Sequence, residues 1–191
     1  MPAADNLLFY GDNLAVLREE IPGESVDLVY LDPPFKSDQN YNVLFAGKDG
    51  TRAAAQIQAF EDTWTWDDSA ARACEEAIET GGERVAETMG AFRSLMNGSD
   101  MLAYLAMMAP RLIQLRRVMK PTASLYLHCD PTASHYLKLL LDAVFGPGNF
   151  KNEIIWKRTT TKSDFRQGAT NWPRIHDVIL LYRKDAEVDT R

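Results

Sequence analysis

The apolar run Val26–Leu31 (Val-Asp-Leu-Val-Tyr-Leu), stopped by Asp32-Pro33-Pro34-Phe35, constrains the fold more tightly than any other stretch. Val26, Leu28, Val29, Tyr30 and Leu31 suit a strand covered on both faces, as in a parallel sheet with helices packed on each side. Two consecutive prolines end it, because neither has an N–H to give to a sheet ladder. In open α/β sheets ligands bind beyond the carboxyl ends of the strands, so Asp32 and Phe35 stand where chemistry is expected. Taken alone, an Asp-Pro-Pro turn is equally well explained as punctuation or a helix cap.

The rest of the chain repeats that strand. Ala123–His128 (Ala-Ser-Leu-Tyr-Leu-His) is a second buried run ending in Cys129-Asp130, Asn152–Trp156 a third strand and Asp177–Tyr182 a fourth. Leu7–Tyr10 reads as a further short strand, followed by Gly11-Asp12-Asn13 as the cap of a helix from about Leu14 to Glu20. Phe60–Trp66 alternates like an edge segment. Asp67 or Asp68 then caps an acidic helix reaching about Met89, interrupted near Gly81-Gly82. Met101, Leu105, Met108, Leu112, Leu115 and Met119 recur at helical spacing from about Ser99 to Met119, with Pro110 expected to kink the helix or divide it. Asp130-Pro131-Thr132 reads as a cap opening a helix to about Phe145, with Leu137, Leu140, Leu141 and Val144 inward. Strands alternating with helices predict an α/β domain with a mostly parallel sheet. The last two strands, joined by a loop without a clear helix, predict an antiparallel edge.

At 191 residues, 46% hydrophobic and 25% charged, the chain can bury one substantial core. No apolar stretch is long enough to cross a bilayer, and the N-terminus lacks a basic region followed by an apolar one, which predicts a cytoplasmic protein without a membrane partner. Cys74 and Cys129 form no Cys-x-x-Cys pair, and His128, His135 and His176 fit no zinc spacing, so no metal is expected and the thiols read as free and buried. The net charge of -6 is unevenly spread. Glu61–Glu87 holds nine acidic residues against two basic ones, whereas Lys157–Arg174 holds five basic residues and one acidic. Phe165 and Trp172 lie within that basic segment, a mixture suited to phosphate contacts and base stacking, although such a run is also ordinary for a solvated loop.

Taken together, the chain resembles the permuted class of amino-methylating DNA methyltransferases, and most closely the modification subunits of type III restriction systems. The likeness is carried in order by Tyr10-Gly11-Asp12-Asn13, Asp27 through Phe35, Leu115 through Thr122, Leu125 through Asp130, and Phe145-Gly146 through Trp156. It implies a partial Rossmann-like methyltransferase fold. The implied activity is transfer of a methyl group from S-adenosyl-L-methionine to an exocyclic amino group in double-stranded DNA, adenine N6 being favoured by the initial Asp and final aromatic of the tetrapeptide. Asp32, Pro33, Pro34 and Phe35 would be the catalytic residues. The Asp32 carboxylate and a backbone carbonyl of the proline pair would accept the amino hydrogens, and Phe35 would stack on a base turned out of the duplex.

The same resemblance sets Tyr10, Asp12, Lys36 and Tyr41 near the cofactor, with Asp12 equally well read as a helix cap, and sets Arg158, Lys162, Arg166 and Arg174 on the DNA. It implies a restriction subunit or a second copy of the chain as partner. A loop and helical insertion is expected over about 36–98 and a basic DNA-facing loop over about 157–175. Phe145-Gly146-Pro147-Gly148 imitates the family's Phe-x-Gly-x-Gly cofactor loop. It follows a helix rather than a strand, however, and Lys151 stands where a third glycine would fall. The expectation is therefore the catalytic part of a methyltransferase domain, without its cofactor-binding half or a target recognition domain. The alternative is a non-catalytic DNA-binding subunit or a fragment that needs a partner.

Overall fold

The computed structural model describes residues 6–33, 64–158, 175–185 and 187. In chain order the elements are α1 (Asn13–Glu19), β1 (Val26–Leu31), α2 (Asp68–Thr80), α3 (Glu83–Met96), α4 (Asp100–Val118), β2 (Met119–Cys129), α5 (Ser134–Phe145), a 3-10 turn (Pro147–Asn149), β3 (Phe150–Lys157) and β4 (His176–Arg183). The helix starts follow the expected chemistry. Asp12 accepts from the Leu14 N–H, Asp67 from Ala70 and Ser99 from Leu102, each side chain satisfying an amide that the first turn leaves unpaired. Asp130 accepts from the amides of Thr132 and Ala133, one turn before α5 begins.

The four strands form one sheet in the order β1-β2-β4-β3. β1 and β2 are parallel, and β4 is antiparallel to both β2 and β3. Three strands therefore run one way and β4 alone runs the other. The last two strands pair antiparallel at one side of the sheet as expected, with β3 on the edge and β4 inside it, and β1–β2 is the one parallel pair among the described strands. β3 and β4 pair directly, and β4 also pairs with β2, which leaves β3 outermost.

The sheet is also covered differently from expectation. In β2 the odd positions Ala123, Leu125, Leu127 and Cys129 are buried while Ser124, Tyr126 and His128 are half-exposed, and in β4 Val178, Leu180 and Tyr182 are buried while Ile179 and Leu181 are half-exposed. In β1 Val29 is buried but Leu28 and Tyr30 are more than half exposed. Among the described residues only one sheet face is covered, so these strands alternate rather than being apolar on both sides. The strand expected at Leu7–Tyr10 does not form. Leu7, Leu8 and Tyr10 are largely exposed, and β1 is a sheet edge with no described strand beside it. Trp64–Asp67 adopts no strand either, and the remainder of that expected edge segment, like the polar loop after Phe35, lies outside the described residues.

The helices form one connected layer. α1 and α2 pack on α4, α2 on α3, α3 and α4 on α5, and α5 on β4. α4 is the central element, with Leu102, Leu105, Met108, Leu112 and Leu115 buried as the spacing predicts. It continues through Pro110 without division. Pro110 offers no N–H to the preceding turn, and Arg111, next in sequence, sends its guanidinium back to the Met107 carbonyl at 2.9 Å. Leu137, Leu140, Leu141 and Val144 of α5 close the core from the other side, and Cys74 and Cys129 are buried free thiols. Among the described residues no helix is long and apolar enough to cross a membrane.

Candidate active site

β1 delivers Asp32 to the rim of the sheet because the chain leaves the ladder at Pro33. The β1–β2 register pairs Tyr30 with Tyr126 and Leu31 with Leu127, so one step further Asp32 stands beside His128 at the end of β2. The antiparallel β2–β4 register pairs His128 with Ile179, which puts Asp177, two residues back on the same face, diagonally across from the His128 ring. Three separate strand ends thus meet at one place.

Their side chains join in a row. His128 Nδ1 is 3.1 Å from Asp32 Oδ1 and His128 Nε2 is 3.3 Å from Asp177 Oδ2. Arg158 follows β3, with its amide bonded to the Ile175 carbonyl, and lays its guanidinium on Asp177 by two 3.3 Å contacts, Nη1 to Oδ1 and Nε to Oδ2. Burial deepens inward along the row: the Asp32 side chain is 61% exposed, His128 18% and Asp177 6%. A buried carboxylate held by a guanidinium fork and an imidazole is electrostatically compensated. The two ring nitrogens of His128 point at different carboxylates, so the trio does not converge on one point as ligands of a metal ion would.

Beside Asp32 runs an apolar groove of about 610 Å³, lined by Phe9, Leu28, Tyr30, Met107 and Leu115 together with Asp32, Pro33, Asn13 and Arg111. Arg111 ties the groove together. It donates from Nε to Asn13 at 2.7 Å and from Nη2 to Asp12 at 2.7 Å, joining the start of α1 to α4.

The site residues expected from sequence are distributed as follows. Asp32 and Pro33 lie at the rim and line the groove. Asp12 caps α1 and pairs with Arg111, so its carboxylate is engaged in the structural role read for it. Tyr10 is 77% exposed on the segment that leads into α1. Arg158 is at the same rim but is paired with Asp177. Pro34, Phe35, Lys36, Tyr41, Lys162, Arg166 and Arg174 lie outside the described residues. His128 and Asp177 were not singled out as a pair by the sequence reading. The signal that was available is positional: each is a polar residue at the end of an apolar run, His128 closing one and Asp177 opening another.

The glycine-containing turn Gly146–Asn149 lies between α5 and β3. That is helix–turn–strand, whereas a phosphate or nucleotide loop of the glycine-rich type joins a strand to the N-terminus of a helix.

A sheet with one buried face, three strand ends gathering ionisable side chains at a single rim and an apolar groove beside them define an α/β domain with a candidate site at that rim. Sequence comparison gives the lineage: residues 26–191 match the DNA methylase family, and the chain belongs to it. It is 28% identical over 184 residues to the type III restriction-modification enzyme StyLTI Mod subunit of Salmonella typhimurium, covering 95% of this chain and 24% of that protein. The EcoP15I Mod subunit of Escherichia coli is 26% identical over 96% of this chain and 25% of its own length. The type II methyltransferase M.EcaI of Enterobacter cloacae is 25% identical over 94% of this chain and 29% of its own. The chain thus spans about a quarter of the length of the curated relatives it matches.

Proposed function

We propose that residues 1–191 are the catalytic part of a DNA methyltransferase that transfers a methyl group from S-adenosyl-L-methionine to the exocyclic amino group of a base in duplex DNA, adenine N6 in preference to cytosine N4. The observation that carries this reading is Asp32: a largely exposed carboxylate at a strand end, with one oxygen held by His128 and the other unbonded among the described residues, in a chain of the DNA methylase family.

The amino nitrogen of a nucleobase is a poor nucleophile because its lone pair is delocalised into the ring. Asp32 Oδ2 accepts a hydrogen bond from that amino group, returning electron density to the nitrogen and stabilising the positive charge that develops as the methyl arrives. Pro33 fixes the backbone as it leaves β1, which holds the carboxylate within bonding reach. Phe35 stacks on the extruded base. The cofactor supplies an activated methyl group on a sulfonium. An apolar groove with a carboxylate in its lining suits its reacting end, and Tyr10, Asp12, Lys36 and Tyr41 would contact the cofactor. Arg158, Lys162, Arg166 and Arg174 face the DNA backbone. By the same reading the protein is cytoplasmic and works with a restriction subunit or a second copy of itself.

The test is tritiated methyl transfer from S-adenosyl-L-methionine to unmethylated duplex DNA by the full-length protein, with nucleoside analysis of the product. Label in N6-methyladenine that is lost in Asp32→Ala supports the reading. DNA binding without transfer supports a non-catalytic subunit instead, and undiminished transfer by Asp32→Ala removes that residue from the mechanism.

A further inference from the structure

We infer that His128 is a positioning residue that sets the orientation of the Asp32 carboxylate, and that buried Asp177 anchors the His128 ring; the inference rests on the proposed role of Asp32. Asp32 sits where the chain has just left the sheet, and its side chain is 61% exposed. A carboxylate in that setting is otherwise free to turn about its two side-chain torsions, and a freely turning group gives little of the rate advantage that a fixed one gives. The His128 ring removes that freedom by holding Oδ1 at 3.1 Å. Oδ2 is then the oxygen left for a ligand, on a residue that lines the groove.

The ring can do this because it is itself held. β2 fixes its backbone, its side chain is only 18% exposed, and Nε2 meets Asp177 Oδ2 at 3.3 Å. Asp177 is in turn held on both oxygens by the Arg158 fork. A ring protonated at both nitrogens donates to both carboxylates, whereas a neutral ring serves one of them; the proton on Nδ1 is the one that fixes Asp32. The arrangement has the logic of a supported site, in which an exposed reacting group rests on successively more buried partners. It also gives Arg158 a place in the site through Asp177, alongside its proposed contact with DNA.

The experiment is steady-state and single-turnover methyl transfer by the full-length protein, with tritiated S-adenosyl-L-methionine and unmethylated genomic duplex DNA, for wild type, His128→Leu, His128→Gln, Asp32→Asn and the double variants. His128→Leu is expected to lower kcat roughly 10- to 100-fold, the scale of a misplaced reacting group, with KM for DNA and donor within about threefold of wild type. His128→Gln recovers part of that loss, because its amide N–H can still donate to Asp32. In the Asp32→Asn background the His128→Leu loss shrinks to less than about threefold, since residues that act through one another are not additive. Should His128→Leu fail to fold, His128→Gln takes its place in the same cycle. Wild-type kcat in His128→Leu overturns the inference, as does an equal loss with and without Asp32, which marks a purely structural role. An active wild type that needs Asp32 but not His128 overturns this inference alone, whereas a wild type that transfers no methyl group overturns the functional reading and this one with it.

Discussion

His128 Nδ1 lies 3.1 Å from Asp32 Oδ1, although 96 residues separate them in the chain, and the same ring reaches Asp177 on the far side. Asp177 is therefore the keystone of the rim, and its removal has a stability consequence apart from any catalytic one. Asp177→Ala leaves the His128 and Arg158 donors without their shared acceptor. Arg158 is half-exposed and can return to water, which keeps the cost below that of a fully buried broken pair. The expected loss is about 1–3 kcal/mol, measured by urea denaturation. A change under about 0.5 kcal/mol, the range of ordinary surface substitutions, would show that the row is not held as described.

The break between α2 and α3 depends on two glycines for two different reasons. Gly82 has φ 78 and ψ 176, a conformation essentially restricted to glycine, while a Cβ at Gly81 would fall 2.5 Å from Val85 Cγ1 and 2.6 Å from the Ala77 carbonyl oxygen. Gly82→Ala is expected to cost about 1–3 kcal/mol through backbone strain alone, its Cβ pointing into open space. Gly81→Ala fails by overlap instead, with Val85 Cγ1 and Cβ and with the Ala77 carbonyl, and trimming Val85 to alanine removes only the first of these, so Gly81→Ala is expected to cost more than Gly82→Ala and not to be rescued by Val85→Ala. Thermal melts of the singles and of the Gly81–Val85 double variant test that order.

Much of the local structure was legible in the sequence, because caps and apolar runs are local signals. Asp12, Asp67 and Ser99 begin helices where their side chains can reach a free amide, and Pro33 ends β1 where the ladder loses its donor. What was not legible depends on pairing between distant strands. Nothing local tells β4 to enter between β2 and β3, and nothing in the run Val26–Leu31 tells that Leu28 and Tyr30 lie on an open face. The Leu7–Tyr10 segment has the composition of a strand but pairs with no described strand, although β1 has an open edge. For the same reason Asp32 was found from its own tetrapeptide, whereas His128 and Asp177 acquire meaning only once two registers bring them together.

Arg111 is one of two α4 guanidiniums that reach α1 and its flanks: it bonds Asp12 and Asn13 as well as the Met107 carbonyl of its own helix, while Arg117 bonds the Leu17 and Ile21 carbonyls. The Arg111 side chain is 14% exposed and that of Asp12 57%, so the ion pair itself is partly screened and contributes on the order of 1 kcal/mol or less. Asp12→Ala removes the helix cap as well, worth about 1 kcal/mol by itself. Asp12→Asn retains a capping oxygen and loses only the charge. The expected order of stability in chemical denaturation is wild type, then Asp12→Asn, then Asp12→Ala; Asp12→Asn as damaging as Asp12→Ala would place the weight on the ion pair rather than the cap.

Two fully buried tyrosines predict opposite responses to loss of a hydroxyl, and together with Cys129 they predict how stability fails in alkali. Tyr182 donates to Asp142 Oδ1 at 2.7 Å and packs between Phe145 and Phe150, whereas the Tyr104 hydroxyl, beside the edge-on Trp64 ring, has no partner among the described residues. Tyr182→Phe therefore costs about 1–2 kcal/mol, and Tyr104→Phe is neutral or stabilising, because it removes a buried polar atom that was not bonded. Burial pushes both phenols up, the bond to Asp142 adding to the effect at Tyr182, and burial followed by the Asp130 charge pushes the Cys129 thiol up to about 12. Each group binds its proton more tightly folded than unfolded, so its contribution is complete below its unfolded value, roughly 8.5 for the thiol and 10 for the phenols, and is lost as pH rises beyond it. Thermal midpoints measured from pH 8 to 11 should fall in two stages, the first beginning near the lower value and the second near the higher. Cys129→Ala should shrink the first stage, to which the buried Cys74 thiol also contributes, and Tyr182→Phe the second, to which Tyr104 contributes. A midpoint unchanged to pH 11 would mean that these groups reach water in the folded protein.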